Sequence, residues 1–406
     1  MDSNMNTPST HFSASRFAFL LTLACVLTGS LLGAPELRAS EPEFDRQHLD
    51  EIEIGYGVTI GHVDDDGKID ILLADKREIV WYRNPGKAGL EWTKHVFARN
   101  LTPRDNVCLA ARDIDGDGLV EIAVGANWNP GETSNPEVSG TCFYLQRPAD
   151  PTMPWNAVPL GPHEPTTHRM HWLRTGAGKM LLAVLPLHGV DNKAGKGRDV
   201  QVSLFEIVNG EPKPAGKIDT GMHATHNFTL ITDSEVFGDQ EVMLVAGAEG
   251  YVALPASGEA IEVVSGPLSK GAGEVRRYPV ADRVFVGIEP MHGTDLVMYS
   301  HPSEDGWTKD VLDTSLNQGH ALAAADLFGD ATPEVVAGWR GPDAGKRVGI
   351  RLYQKSPAGW KSHLLDDNQI ACEDLKLADL DGDGRLDVIA AGRATRNLVV
   401  YWNKSE

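Results

Sequence analysis

The stretch DLDGDGRLDVIAAGR (379–393) decides the fold, because the chain repeats it. VDDDGKIDILLAD (63–75) and DIDGDGLVEIAVGAN (113–127) follow the same pattern, and DLFGDATPEVVAGWR (326–340) is a weaker copy. Each copy is an acidic turn that runs into an unbroken apolar stretch of strand type. A short aromatic stretch comes next in seven places: IVWYRN (79–84), TCFYLQ (141–146), VSLFEIV (202–208), GYVAL (250–254), LVMYSHP (296–302), IRLYQK (350–355) and LVVYWN (398–403). A fourth stretch often follows, as in WTKHVF (92–97), WNAVPL (155–160), WTKDVLD (307–313) and WKSHLLD (360–366). The unit is therefore four short strands in about 45 to 60 residues, and such a period marks a repeat architecture.

No helical periodicity of useful length competes with this pattern. A four-stranded unit exposes one face of its sheet, so units must pack side by side around an axis to bury a core. The expected fold is all-β, a seven-bladed β-propeller of four-stranded blades. FDRQHLDEI (44–52) reads as an outer strand with no inner strands before it, and the last unit ends at its third strand, LVVYWN. Joining both termini in one blade closes the ring and removes an open edge.

The turns carry their own chemistry. Blade two places Asp113, Asp115, Asp117 and Glu121 at positions one, three, five and nine, and blade seven does the same with Asp379, Asp381, Asp383 and Asp387. Such side chains can converge in a tight turn, and calcium takes six to eight oxygens from flexible cages of this kind. Blade one keeps Asp64, Asp66 and Asp70, with His62 in place of the first carboxylate, and blade six keeps Asp326, Asp330 and Glu334. Structural Ca2+ is expected in these loops. Unoccupied Asp-Gly turns are the plainer reading, since these residues favour turns anyway.

If the acidic turn joins the innermost strand to the second, the residues before each innermost strand and after each second strand meet at the opposite mouth of the channel. His168, His188, His226, His292 and His320 fall there and read as coming from five different blades. Glu274, Glu289, Glu373, Arg340, Arg393, Trp128 and Tyr56 share the address. Imidazoles with carboxylates suit a transition metal, with zinc the default for chemistry without redox. His168, His226, His320, Glu274, Glu289 and Glu373 are the candidate ligands. A remaining imidazole could act as base, Arg340 and Arg393 could hold substrate oxygens, and the aromatics could stack on a sugar ring. His171 is expected to point into a sheet beside Trp172, and His48, His95 and His363 belong to outer strands.

The 406 residues include 57 acidic and 37 basic side chains, a net charge of −20. No basic patch is present to neutralise phosphates, which argues against a nucleic-acid partner. Arg16 followed by FAFLLTLACVLTGSLL (17–32) reads as a signal peptide within residues 1–40, with the propeller over 41–406. Secretion or periplasmic export follows, with no membrane contact beyond that segment. Cys108, Cys142 and Cys372 are too few and too scattered for a disulfide framework and are expected as buried apolar fillers.

DIDGDGLVEI and DLDGDGRLDV resemble the FG-GAP/VCBS class of propeller repeats. A more specific resemblance is carried by THRMHW, LPLHG, ATHNF, GAGEV, EPMHG, GHALAAADL, VVAGWRG and EDLKLADLDGDGRLDVIAAGR. Together these are similar to the propeller domain of aldos-2-ulose dehydratase/isomerase and its bacterial relatives, over most of the chain from about residue 55 on. The resemblance implies a metal-holding propeller that dehydrates a keto-sugar such as 1,5-anhydrofructose. It places His168, His226, His292 and His320 in the metal and base constellation. The cupin domains of the fungal enzyme are lacking here, and blade three reads WLRTGAGKM (172–180) where an acidic loop would stand.

The expected activity is thus a metal-dependent carbon–oxygen lyase with a small carbohydrate substrate. The alternative is a non-catalytic propeller that binds an extracellular protein or glycan. A quinone-dependent sugar dehydrogenase fits less well, because the blade signature is acidic rather than tryptophan-based. A fold does not choose among these.

Overall fold

Seven four-stranded antiparallel sheets account for 28 strands. A computed structural model describes residues 41–405 apart from 233–239, 257, 259–260, 281–282 and 302–305. Residues 1–40, for which the sequence suggests a signal peptide, lie outside the described residues. Among the described residues, no helix is long and apolar enough to cross a membrane. The helical content of the described residues is one 3-10 turn, Pro136–Val138.

The sheets follow one another along the chain. Blades one to six span 57–99, 108–159, 167–219, 225–265, 274–313 and 319–367, each with its strands in chain order. Blade seven contains 372–403 and takes its outermost strand from Phe44–Glu51. That strand pairs antiparallel with Asn397–Asn403, from Phe44 opposite Asn403 to Glu51 opposite Asn397. The ring is closed by joining both termini in one sheet, as the truncated first and last units predict.

The core is not axial. It consists of seven apolar clusters, one in each wedge between neighbouring blades. Period-two alternation within a strand produces this division. In Asp70–Ala74, Ile71 and Leu73 pack toward blade seven, while Leu72 and Ala74 pack toward blade two. In Met180–Pro186, Leu182 and Val184 face blade two, while Leu181, Ala183 and Leu185 face blade four. Both faces of every second strand are therefore buried, so these strands read as unbroken apolar runs. Each fully buried large aliphatic side chain contributes about 1.5–3 kcal/mol. Cys108, Cys142 and Cys372 are buried free thiols. Burial pushes all three thiols up, Cys142 to about 12, so they stay protonated and inert.

The acidic turns join innermost to second strands. In blade two Asp113 accepts hydrogen bonds from the backbone of Gly116 and Gly118 (2.7 and 3.0 Å), and in blade seven Asp379 accepts from Gly382 and Gly384 (2.7 and 2.9 Å). Gly118 and Gly384 take left-handed φ values of 88° and 87°, which glycine adopts without a Cβ clash. Blade six has Ala331 at this station, at φ 65°, which explains its weaker match to the pattern.

Candidate functional site

The opposite mouth is built by a repeated irregularity. The pairing of innermost with second strand skips one residue between Thr167 and Arg169, Thr225 and Asn227, Gly319 and Ala321, and Cys372 and Asp374. The skipped residues are His168, His226, His320 and Glu373. A β-bulge turns one side chain out of the pleat, so the same defect in four blades re-aims four functional side chains. Blade five has no such bulge in its innermost strand, Glu274–Arg277. Gly273 precedes it, and a Cβ there would meet the backbone of His292 at 3.1 Å. His292 occupies that space from the turn after Val284–Glu289, at a left-handed φ of 54°.

The imidazoles form one cluster. Ring centroids lie 4.6 Å apart for His168 and His226, 4.5 Å for His226 and His292, 4.9 Å for His226 and His320, and 5.0 Å for His292 and His320. Nδ1 of His168, His226 and His320 lies 2.7, 2.8 and 2.7 Å from the carbonyl oxygens of His226, Gly273 and Glu373. In each case the carbonyl belongs to the next blade. A carbonyl only accepts, so Nδ1 carries the proton and Nε2 presents a lone pair. Ligating histidines are oriented in this way by backbone carbonyls. Ring nitrogens of His226, His292 and His320 all lie within 4.8 Å of one another. The Nε2 atoms of His226 and His292 lie 2.8 Å apart: without a metal one of them must carry a proton between the rings, and a metal ion would displace that proton and take both lone pairs.

Burial is the largest influence on these rings. It holds His168 and His320 well below the ordinary imidazole value, with Arg169 and Arg340 adding to the effect, and it pushes His292 down to about 2. The three rings are thus neutral at physiological pH, the form that ligates a metal.

Not every expected ligand joins this group. Arg169 donates to His168 Nε2 at 3.1 Å, which occupies the lone pair a metal would need. Glu274 accepts from Asn227 (2.6 Å) and pairs with Arg276 (3.3 Å), and its Oε1 lies 3.3 Å from His226 Nδ1. That last contact has no hydrogen-bond geometry, since the Nδ1 proton points to Gly273 and Oε1 is left without a hydrogen-bond partner. Glu373 is clamped by Arg340 (2.5 Å) and Arg393 (3.1 Å), with His320 Nε2 at 3.9 Å. Glu289 is occupied elsewhere, by Tyr251, Ser269, Tyr299 and Lys309.

Two expectations are corrected. The histidines come from four blades, not five, because His168 and His188 both belong to blade three. His188 bridges to Ala224 at the rim, where His223 pairs with Glu249. His171 does not point into the sheet with Trp172: it lines the axial channel and meets Phe228 of blade four edge-on at 4.7 Å. The aromatics are partly committed, as Trp128 stacks on His168 at 5.1 Å and Arg393 lies 5.1 Å over the Tyr56 ring. Arg169, Arg276 and Lys376 were missed from sequence. Their signal is the alternation in THRMHW, EVRR and EDLKLAD, where Arg169 with His171, Glu274 with Arg276, and Asp374 with Lys376 fall on one strand face.

The acidic loops divide. Asp113, Asp115 and Glu121 form one group of converging oxygens, and Asp379, Asp381 and Asp387 form another. Asp117 and Asp383 instead cap the backbone N–H of Leu119 and Arg385, and Asp383 also pairs with the Arg385 side chain. In blade one, Arg83 bridges Asp64 and Asp66 (2.8 and 3.5 Å) and Lys68 binds Asp66 (2.9 Å). Asp70 turns inward to the backbone N–H of Val63 and Asn84. The carboxylates that close the loops, Asp70, Glu121, Glu334 and Asp387, are each pushed up to about 7, mainly by burial.

Residues 62–124 match the FG-GAP-like repeat family, from the blade-one loop through the second strand of blade two. No curated protein matches the chain. Among solved structures, a chain of the mitotic checkpoint complex is similar at TM-score 0.57 and 11% identity, covering 95% of this chain and 99% of that one. BBS1N in complex with ARL6DN is similar at TM-score 0.56 and 13% identity, with 90% and 98% covered. The exotype rhamnogalacturonan lyase YesX is similar at TM-score 0.52 and 13% identity, with 91% and 75% covered. Identities this low establish a shared fold. The chain is a seven-bladed propeller that contains an FG-GAP-like repeat.

Proposed function

We propose that the protein is a metal-dependent carbon–oxygen lyase that dehydrates a keto-sugar or related carbohydrate at the histidine mouth. The observation that carries this reading is the trio His226, His292 and His320, whose ring nitrogens converge within 4.8 Å of one another. Three imidazoles fit a divalent metal such as zinc and would leave a position for substrate. A metal held there supplies Lewis-acid polarisation of a substrate carbonyl. Arg340 and Arg393 are pre-oriented by Glu373 and keep further donors for substrate oxygens. An imidazole of the same cluster serves as proton acceptor next to the carbonyl. The resemblance of THRMHW, EPMHG and GHALAAADL to the aldos-2-ulose dehydratase propeller supports this chemistry.

The test is elemental analysis of the dialysed protein against His226→Ala/His320→Ala, followed by an ultraviolet assay for enone formation from 1,5-anhydrofructose. The expected result is one transition-metal ion per chain and turnover, both lost in the variant while calcium stays. Calcium alone in both proteins would overturn the lyase reading in favour of a binding propeller.

A further inference from the structure

Beneath the histidines, the innermost strands of six blades line an axial cavity of ≈ 320 Å³. Among the described residues its wall carries Arg112, Arg169, Arg276 and Lys376 against a single acidic residue, Asp374. This is the reverse of the chain as a whole, with its net charge of −20.

Three of the cations are matched. Arg112 is forked onto Glu241 at 2.7 and 3.0 Å. Arg276 pairs with Glu274 at 3.3 Å, and Lys376 with Asp374 at 3.0 Å. Arg169 is different: its Nη1 donates to the carbonyl oxygen of His168 (2.9 Å) and to the His168 ring (3.1 Å), both neutral acceptors. Among the described residues four cations thus face three carboxylates, and the surplus charge is the guanidinium between the histidines and the cavity. A half-buried charge in a channel is screened less than one on the open surface, and this one has no carboxylate partner among the described residues. The hydroxyl-bearing residues Thr59 and Thr229 also line the wall.

We infer that this cavity is a binding site for a small oxyanion, a carboxylate or an inorganic phosphate, held by Arg169 with Lys376 and Arg276 beside it. Guanidinium groups match the oxygens of both anions in a bidentate fashion. The volume is at the lower end for small-molecule sites, which suits a free anion or the acid group of a sugar acid. The inference is independent of the metal reading, because it needs no ligand from the three-histidine cluster.

Calorimetric titration with inorganic phosphate, glucuronate and neutral glucose tests it. Saturable binding of phosphate or glucuronate but not glucose is expected, weakened about tenfold or more by Arg169→Gln and by Lys376→Gln. Glucuronate binding without phosphate binding would identify the acid group of a sugar as the ligand, and binding of both a free oxyanion. His292→Ala, which removes the metal trio, is expected to leave anion affinity unchanged. If neither variant folds, the wild type decides alone: low-millimolar glucuronate raises its melting temperature relative to chloride at equal ionic strength. No saturable binding of either anion, equal affinity in the folded variants, or no melting shift in that last case would overturn the inference.

Discussion

The two ends of the channel hold the same kind of object, a cluster of candidate metal ligands, and build it in opposite ways. In the acidic loop of blade seven, Asp379, Asp381 and Asp387 lie within nine residues of one another and are gathered by a single turn. At the other mouth, His226, His292 and His320 come from three blades and are gathered only by closure of the ring. The loop is local and repeated, while the mouth is long-range and occurs once. The loop keeps its oxygens near water, and burial then raises the carboxylate that closes it. The mouth buries its imidazoles and anchors His226 and His320 to backbone carbonyls that follow in the chain. The contrast teaches where metal affinity would be coupled to folding: a turn can gather its carboxylates alone, but the mouth exists only in the assembled ring.

That contrast can be broken most directly at the mouth. His292→Ala removes one of three imidazoles and should weaken transition-metal binding by about a thousandfold, read by competition with a chromogenic chelator. Calcium binding should not change. Loss of calcium as well would show that the two ends are coupled.

Next in size is the loop. Calcium at about a hundred times its Kd stabilises a single-site protein by about 2.7 kcal/mol. Asp379→Ala should remove one loop's share of the calcium-dependent rise in melting temperature, measured by calorimetry, while Asp113→Ala removes the other. An unchanged calcium response in both variants would mean that the loops stand as plain turns.

The pH dependence sharpens the same comparison. Asp70, Glu121, Glu334 and Asp387 are pushed up to about 7, above the ordinary carboxylate range. Between about pH 4 and 7 the folded chain therefore holds protons that the unfolded chain has released. Stability of chelator-treated protein should fall as pH rises through this window, by a few degrees in melting temperature. Calcium should reverse the fall, since a cation takes the place of those protons. A melting temperature of chelated protein that climbs from pH 4.5 to 7.5 would contradict this account.

The smallest effect is expected in blade one. Arg83 and Lys68 already neutralise Asp64 and Asp66. Asp64→Asn should shift stability by no more than about 1 kcal/mol and leave the calcium response intact. A large calcium-dependent loss in denaturant titrations would place a third cation cage there.

The sequence by itself determined the blade count, the four strands of each unit, the closure by both termini and the acidic turns. All of these rest on local signals: alternation, turn residues and a period that survives in single stretches such as DLDGDGRLDVIAAGR. It also placed the histidines near one mouth, because strand order alone fixes which end a residue occupies. What only the tertiary structure decided is which of them meet. Bulges at His168, His226, His320 and Glu373 leave no mark in composition, since a one-residue skip depends on the partner strand. Pairing choices are equally hidden: Arg169 on His168, two arginines on Glu373 and four side chains on Glu289 are contacts between residues far apart in the chain or turned by a bulge. Period and turn chemistry are properties of a segment, whereas ligand convergence is a property of the closed ring.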